Sequence, residues 1–359
     1  MRPFNKERQD FCMKRSVLPI MLALVVLLGG CGFSIPTPTP DPTPEITPAP
    51  PMKTPEIQVF HVLTDTPTTS GDGTDSEPVD PVGEAEPTPE AVLAQAPTPA
   101  QTMITENTAV RDLELVRVRN YIPDLLIDLK YATTDNYAHK VIYSFDEPYL
   151  RYGTVKKLAQ AQSLLKAQGY ELILWDAFRP NEAQFELFDA FPNGNYVANP
   201  YGGGHSSHTS GGTVDVALYK DGKLCEMPSG FDEFSALGDR NYTDVSAEAA
   251  ANAKLLEKVM TSAGFTGYFG EWWHYTDNTG YNYADVEGCV LPEHATTLYE
   301  SVCNEYINIR RVANPTAEAI GNIPNGNRMT VLSYLTDFVL IQYGEITGYV
   351  NVHFVKPIY

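Results

Sequence analysis

The sequence predicts an α+β domain, with a mixed sheet and flanking helices, followed by a small all-β barrel. Two observations predict the α+β domain. Segments with helical periodicity of apolar residues alternate with strand-like segments between residues 106 and 285, and two of those strands carry polar side chains inward. A third observation leads to the barrel. Short β runs separated by turn residues fill residues 304–359, with a linker at 286–303.

Composition limits the class of protein. The chain has 359 residues, of which 43% are hydrophobic and 19% charged, so it can bury a core. Its 25 Lys and Arg residues stand against 45 Asp and Glu residues, which gives a formal net charge of −20. Since so acidic a chain repels a polyanion, we expect no nucleic-acid partner.

Residues 1–30 have the pattern of a secretory signal peptide. Five basic residues precede the apolar run 17–28, which is too short to cross a bilayer comfortably. The run is followed by Gly29, Gly30 and Cys31, a sequence that resembles the lipobox of bacterial lipoproteins. We therefore expect the leader to be removed and Cys31 to be diacylated, which would anchor the protein on the outer face of the bacterial cell membrane. An ordinary signal peptide with an incidental cysteine is the alternative.

Residues 31–105 are predicted to form a disordered acidic tether. Their repeated Pro-Thr units break helices and sheets, and Thr, Glu and Asp supply no core. Because proline favours extended polyproline geometry, such a tether would let the folded domain reach into the wall space. A spacer of no fixed length is equally compatible with this composition.

The folded region begins near Val110, and its elements can be taken in order. Periodicity and terminating glycines predict a strand at 111–118, a helix at 151–169, a buried strand at 170–175, an alternating strand at 213–219 and a helix at 248–264. Outside the leader and Cys31, the cysteines are Cys225, Cys289 and Cys303. They allow one disulfide, Cys289 with Cys303, or three free thiols.

Two polar segments could supply a metal site. One contains His208 and Asp215, and the other contains Glu271 and His274. Two His and one Asp form a three-ligand set that suits one Zn²⁺ and leaves a position for water. Zinc would lower the pKa of that water to about 7, and Glu271 could take its proton and pass it to a leaving amine. Since residues three apart in a strand face opposite sides, Glu271 and His274 need a bend, which Gly270 could permit.

These residues carry a family resemblance. The pattern SxHxxGxxxD, at 206–215, followed by ExWH, at 271–274, resembles the zinc D-Ala-specific peptidases of the bacterial cell wall. The segments 131–137, 175–180 and 230–232 resemble VanX-type D-alanyl-D-alanine dipeptidases in particular. The likeness implies an α+β zinc peptidase domain.

The resemblance implies a role for each matching residue. His208, Asp215 and His274 would bind the zinc ion, Glu271 would be the general base, and Arg179 would stabilise the developing oxyanion. Arg179 could instead be a structural partner of Asp176.

Tyr131, Ser207 and Asp232 match positions that hold the two ends of the dipeptide. Asp232 could pair with the free ammonium, although it could also be a turn aspartate after glycine. His205, which the motif does not require, is interpreted as a bystander.

Residues 304–359 resemble a bacterial SH3-like domain, which implies a cell-wall-binding module. The tryptophan expected after the fourth strand is replaced here, with Phe338 in its place. A folded spacer without a ligand is the alternative.

Three functions fit these features. The first is zinc-dependent hydrolysis of D-Ala-D-Ala at the cell envelope, in peptidoglycan turnover. The second is a D,D- or L,D-carboxypeptidase that trims peptidoglycan stem peptides. The third is a non-catalytic wall-binding lipoprotein.

Overall fold

The computed structural model describes residues 106–359. The predicted leader, the predicted lipidation site Cys31 and the predicted tether lie outside the described residues. Within residues 106–359, no helix is both long and apolar enough to cross a membrane. The α-helices of this region are α1 (Tyr152–Lys166), α2 (Asn181–Ala190) and α3 (Ala247–Ser262).

The same region contains fifteen strands. In chain order they are β1 (Leu115–Arg117), β2 (Leu126–Ile127), β3 (Tyr149–Arg151), β4 (Glu171–Asp176), β5 (Thr213–Lys220), β6 (Lys223–Leu224), β7 (Phe265–Gly267), β8 (His274–Asp277), β9 (Leu298–Ser301), β10 (Tyr306–Arg310), β11 (Ala319–Pro324), β12 (Arg328–Tyr334), β13 (Phe338–Tyr343), β14 (Ile346–Asn351) and β15 (Val355–Pro357).

The first sheet has the order β2-β4-β5-β8-β7, with β6 paired to β5. Strands β2 and β4 are parallel and the other pairs are antiparallel, so this is the mixed sheet that the sequence predicts. Helices α1 and α3 pack against each other and cover one face of the sheet. The α+β prediction is therefore confirmed.

Local sequence explains where the helices end and which face of β5 is covered. Gly169 and Gly264 follow α1 and α3 with φ of 76° and 94°, a conformation that glycine adopts without strain. In β5, Val214 and Val216 are fully buried in the hydrophobic core. Because side chains alternate along a strand, Asp215 between them points to the opposite face, away from the helices.

The second sheet contains the C-terminal strands and two strands of the first domain. Its order is β11-β10-β14-β13-β12-β1-β3, and β9 pairs with both β12 and β15. A strand-rich C-terminal domain is thus confirmed, although strand pairing does not close it into a barrel within residues 106–359. Strand β9 falls in the segment interpreted as a linker, so the C-terminal sheet begins before residue 304.

A buried carboxylate lies where the two domains meet. Glu114 is fully buried and accepts hydrogen bonds from the hydroxyl groups of Ser333, at 2.6 Å, and Tyr349. Arg111 pairs with the same carboxylate at 2.6 Å. The shared sheet and this carboxylate join the two domains. The three cysteines of the described residues are free, including Cys289 and Cys303.

Candidate metal centre and active site

Three predicted ligand atoms form a small triangle. His208 Nε2 lies 3.3 Å from both Asp215 Oδ1 and His274 Nδ1, and the last two atoms are 3.1 Å apart. A tetrahedral zinc ion about 2 Å from each ligand would need sides of about this length. Asp215 Oδ1 is buried and has no hydrogen-bond partner, although two ring nitrogens are near it. A cation would satisfy this oxygen, so the residues present fit a metal ion.

Two of the ligands are brought together by strand register. Asp215 of β5 lies directly opposite His274 of β8 in the antiparallel pair, so both side chains are on one face of the sheet. His208 lies in the 3₁₀ turn that precedes β5, and Gly211 ends that turn with φ of 74°. Burial would raise the pKa of Asp215, but the two imidazoles outweigh it and hold this pKa below its usual value.

A second layer of contacts orients His208. Its Nδ1 lies 2.9 Å from the carbonyl oxygen of Ala177 and 3.4 Å from a carboxylate oxygen of Asp176. With two acceptors beside it, Nδ1 carries the proton, which leaves Nε2 free to bind a metal. Asp176 is itself fixed, because it accepts hydrogen bonds from the Tyr143 hydroxyl, at 2.5 Å, and from Arg179.

Arg179 is a structural partner of Asp176 and also lies in the cavity, where the predicted role at the oxyanion would require it. It donates to Asp176 at 2.7 Å and to Gln184 at 3.0 Å, and its guanidinium lies 4.9 Å from the centre of the Tyr131 ring. It also lines the cavity that contains the ligands, and its buried Nε has no partner. Burial would lower its pKa, but Asp176 and Tyr131 outweigh burial and raise it, so the side chain stays cationic.

Glu271 lies in a turn immediately before β8, with Oε2 3.3 Å from His274 Nδ1. The bend that the sequence requires is therefore present. Gly270 does not adopt a positive φ, so the bend does not depend on left-handed glycine. Burial raises the pKa of Glu271 to about 7, although His274 opposes the shift. A carboxyl group with such a pKa can accept and return a proton near neutral pH.

Arg240 holds this turn, and the sequence analysis did not identify it. Its guanidinium donates to the backbone carbonyl oxygens of Tyr268, at 2.8 Å, and of Glu271 and His274, at 3.1 and 3.0 Å. The side chain is 7% exposed. Arg240 lies far from both motifs in sequence and in no pattern of its own, so no local signal could have revealed it.

The predicted substrate-binding residues lie in the same cavity. The Tyr131 hydroxyl donates to Asp232 at 2.6 Å, and Ser207 Oγ lies 3.1 Å from His274 Nε2. Asp232 has φ of 54°, a turn conformation, and burial raises its pKa to about 8. It is therefore both a turn aspartate and a member of the site. His205 also lines the cavity, where its ring stacks on Tyr283 at 3.8 Å and its buried Nδ1 has no partner.

The cavity has a volume of about 260 Å³. Pockets for drug-sized ligands have roughly 300–1,000 Å³, so this one suits a smaller molecule. The metal ligands and Glu271 line the cavity together with five aromatic side chains, those of Tyr131, Tyr137, Tyr196, Phe234 and Tyr268.

The fold and the site together define a peptidase. Comparison with protein families gives the match "D-ala-D-ala dipeptidase" over residues 111–290. The D-alanyl-D-alanine dipeptidase of Escherichia coli is 36% identical over 163 residues, which are 45% of this chain and 83% of the relative. That of Enterococcus faecium is 32% identical over 168 residues, 41% of this chain and 83% of the relative. The chain belongs to the D-Ala-D-Ala dipeptidase family, as the motifs indicated.

A second family match, "Bacterial SH3 domain", covers residues 305–356 and confirms the second resemblance. Among solved structures, a vancomycin-resistance D,D-pentapeptidase variant in complex with Zn(II) is similar over 37% of this chain and 75% of its own. It is 19% identical to this chain, with a TM-score of 0.26.

We predict that Asp232 makes stability depend on pH. Its folded pKa of about 8 exceeds the unfolded value near 4, so its stabilising contribution is complete below pH 4 and is lost as pH rises through 8. The free energy of unfolding of chelator-treated protein is measured in urea at pH 5 and at pH 8. We expect it to fall less in Asp232→Asn than in the parent over this range, by at least about 1 kcal/mol. Asp221→Asn is the matched control, since Asp221 has φ of 51° and is exposed. If the free energy of unfolding fell equally in Asp232→Asn and in the parent, Asp232 would not have the raised pKa.

We predict that Arg240→Lys weakens metal binding. Lysine keeps the charge but cannot reach several carbonyl oxygens at once, so the turn with Glu271 and His274 loosens. Zinc affinity, measured by competition with a chromophoric chelator, should fall by about 10- to 100-fold. The exposed Arg328→Lys should leave it unchanged. An unaltered affinity in folded Arg240→Lys would show that the turn holds without the guanidinium.

Proposed function

We propose that this protein hydrolyses D-Ala-D-Ala to two molecules of D-alanine, with one zinc ion held by His208, Asp215 and His274. The observation that carries the proposal is the convergence of this ligand triangle, Glu271 and Arg179 in one small cavity. Membership of the dipeptidase family supports the same reaction, since the related proteins carry that name.

Zinc bound there would supply Lewis acidity and would lower the pKa of a bound water to about 7. Glu271 is placed to take the proton that such a water loses, because its Oε2 lies 3.3 Å from a ligand atom of His274. The carboxyl group then delivers that proton to the amine nitrogen of the departing D-alanine.

Arg179 would stabilise the charge that develops on the peptide oxygen. Asp176 and Gln184 hold its terminal nitrogens, so the guanidinium does not need to reorganise during the reaction. A fixed cation in a cavity that excludes much of the water stabilises a developing oxyanion more strongly than a mobile one.

The two ends of the dipeptide would be held by different side chains. Asp232 is half-buried beside the Tyr131 hydroxyl and offers a carboxylate to the substrate ammonium. Binding of an ammonium would favour the ionised form of Asp232, whose pKa is about 8 in its absence. Ser207, an exposed residue beside His274, has a hydroxyl available to the other end.

We also propose a place for the activity. The basic head, the short apolar run and Cys31 support export and lipid anchoring on the outer face of the membrane. The SH3-like domain supports binding to the cell wall. An enzyme there would act on dipeptide released during peptidoglycan turnover.

The substrate can be tested by measuring D-alanine release by the zinc-loaded protein from D-Ala-D-Ala and from a pentapeptide that ends in D-Ala-D-Ala. We expect turnover of the dipeptide alone, since the cavity is small. Turnover of the pentapeptide would instead indicate a carboxypeptidase. Absence of zinc-dependent release from either substrate would leave only the wall-binding role.

We predict that Glu271→Gln lowers kcat by about 10²- to 10⁴-fold, because it removes the proton acceptor while leaving the three ligands in place. A chelator should abolish activity in the parent, and added zinc should restore it. Glu318→Gln is the control, since Glu318 is exposed and paired with Arg311 in the C-terminal domain. A Glu271→Gln variant with the activity of the parent would refute the assigned base.

We predict that Cys31→Ser moves the protein from the membrane fraction to the soluble fraction of a bacterial host and abolishes incorporation of labelled fatty acid. The thiol is the acceptor of the lipid, and a hydroxyl does not replace it in this modification. Cys303→Ser, in the C-terminal domain, is the matched control and should remain membrane-bound. Retention of label in Cys31→Ser would exclude lipidation at this residue.

A further inference from the structure

Arg151 is a fully buried arginine whose hydrogen bonds go to backbone carbonyl groups. Its Nε and Nη2 each lie 2.6 Å from a carbonyl oxygen, of Ser210 and of Asn282, and its Nη1 donates to the carbonyl of Leu113. The carboxylate of Asp285 is 3.9 Å away. A buried guanidinium is unfavourable unless its donors are satisfied, so these three chain segments must stay in place around it.

One of these segments is the turn that carries His208. Arg151 holds it twice, because its backbone N–H also donates to the carbonyl of Gly211 at 2.9 Å. A Cβ atom on Gly211 would lie only 2.7 Å from the Leu115 side chain and 3.3 Å from Arg151 Cγ. The turn therefore lies directly on β1 and β3, and its position depends on both strands.

Strand β1 is held from its other side by the C-terminal domain. Leu115 is opposite Arg151 of β3 on one side and opposite Tyr334 of β12 on the other. Glu114, the preceding residue, accepts the hydroxyl hydrogen bonds of Ser333 and Tyr349. Three consecutive residues, 113–115, thus join the C-terminal domain to Arg151.

A second set of contacts also joins the C-terminal domain to the active-site cavity. The Thr336 backbone N–H, in the turn between β12 and β13, lies 3.4 Å from the carbonyl oxygen of Asp285. Asp285 ends the 3₁₀ turn Tyr283–Asp285, which follows the Asn282 carbonyl held by Arg151. Tyr283 of this turn stacks on His205, which lines the active-site cavity.

From these contacts we infer that the C-terminal domain is a structural part of the metal centre, and that Arg151 is the positioning residue that joins them. The domain fixes β1, and β1 and Arg151 fix the turn that presents His208 to the metal. The inference rests on the proposed metal site. The inferred link joins two regions of the chain, 111–290 and 305–356, each of which matches a different family.

The test uses the full chain and measures metal binding rather than activity alone. Arg151→Lys keeps the charge and loses the fork that reaches three carbonyls. The double variant Ser333→Ala/Tyr349→Phe removes both hydroxyl donors to Glu114 from the C-terminal side. Arg310→Lys is the matched control, because Arg310 also donates to a backbone carbonyl, that of Ala317 at 2.7 Å, in the loop between β10 and β11.

Zinc affinity is measured by competition with a chromophoric chelator, and ligand geometry by the absorption spectrum of the cobalt-substituted protein. We expect Arg151→Lys to lose about 10- to 100-fold in affinity, with an altered cobalt spectrum and a lower kcat at an unchanged KM. The double variant should lose about 3- to 10-fold, a smaller effect because Arg151 itself remains. The control should match the parent in every measurement.

Two results would overturn the inference: a folded Arg151→Lys with the parent's zinc affinity and cobalt spectrum, or a double variant with the parent's affinity. If Arg151→Lys does not fold, the double variant alone decides. Failure of the proposed function is recognised separately, since the parent would then bind zinc without releasing D-alanine. A parent that binds no zinc would refute the metal site and this inference together.

Discussion

The register between β5 and β8 is the constraint on which the rest of the site depends. It places Asp215 opposite His274, and a shift of one residue would turn one of these side chains to the helix-covered face. Val214 and Val216, buried beneath the helices, prevent that shift because it would bring apolar groups into the polar cavity. The hydrophobic core therefore determines which donor atoms meet at the metal site.

The cavity concentrates negative charge. Asp215, Asp232 and Glu271 line it together with a single arginine, Arg179, which already pairs with Asp176. Burial raises the pKa of Asp232 to about 8 and that of Glu271 to about 7, because ionising every carboxyl group in this cavity is unfavourable without a cation. A divalent cation and a substrate ammonium each offset part of this charge. Both ligands should therefore stabilise the folded state as well as bind to it.

The sequence reveals those parts of this arrangement that depend on neighbouring residues. The ligands and Glu271 fall in short segments with recognisable spacing, and Gly169 ends a helix by a local rule. The features that the sequence does not predict depend on contacts between residues far apart along the chain. Pairing of β1 with β12 joins residues more than 200 positions apart, and Arg240 acts on carbonyls that any sequence would possess. The spacing of Glu271 and His274 predicts the bend before β8, but not that Arg240 holds it.

Arg151 and Arg240 each stabilise a different turn of the metal site. Each donates hydrogen bonds to several backbone carbonyls, among them at least one in a turn that carries a ligand, rather than to the ligand itself. Carboxylates lie at longer distances, with Glu257 3.5 Å from Arg240 and Asp285 3.9 Å from Arg151, so the short hydrogen bonds of both side chains go mainly to uncharged partners. The backbone of both turns is thereby fixed without drawing Asp215 or Glu271 away from the metal. Precision at the site then comes from buried cations that need not touch the metal or the substrate.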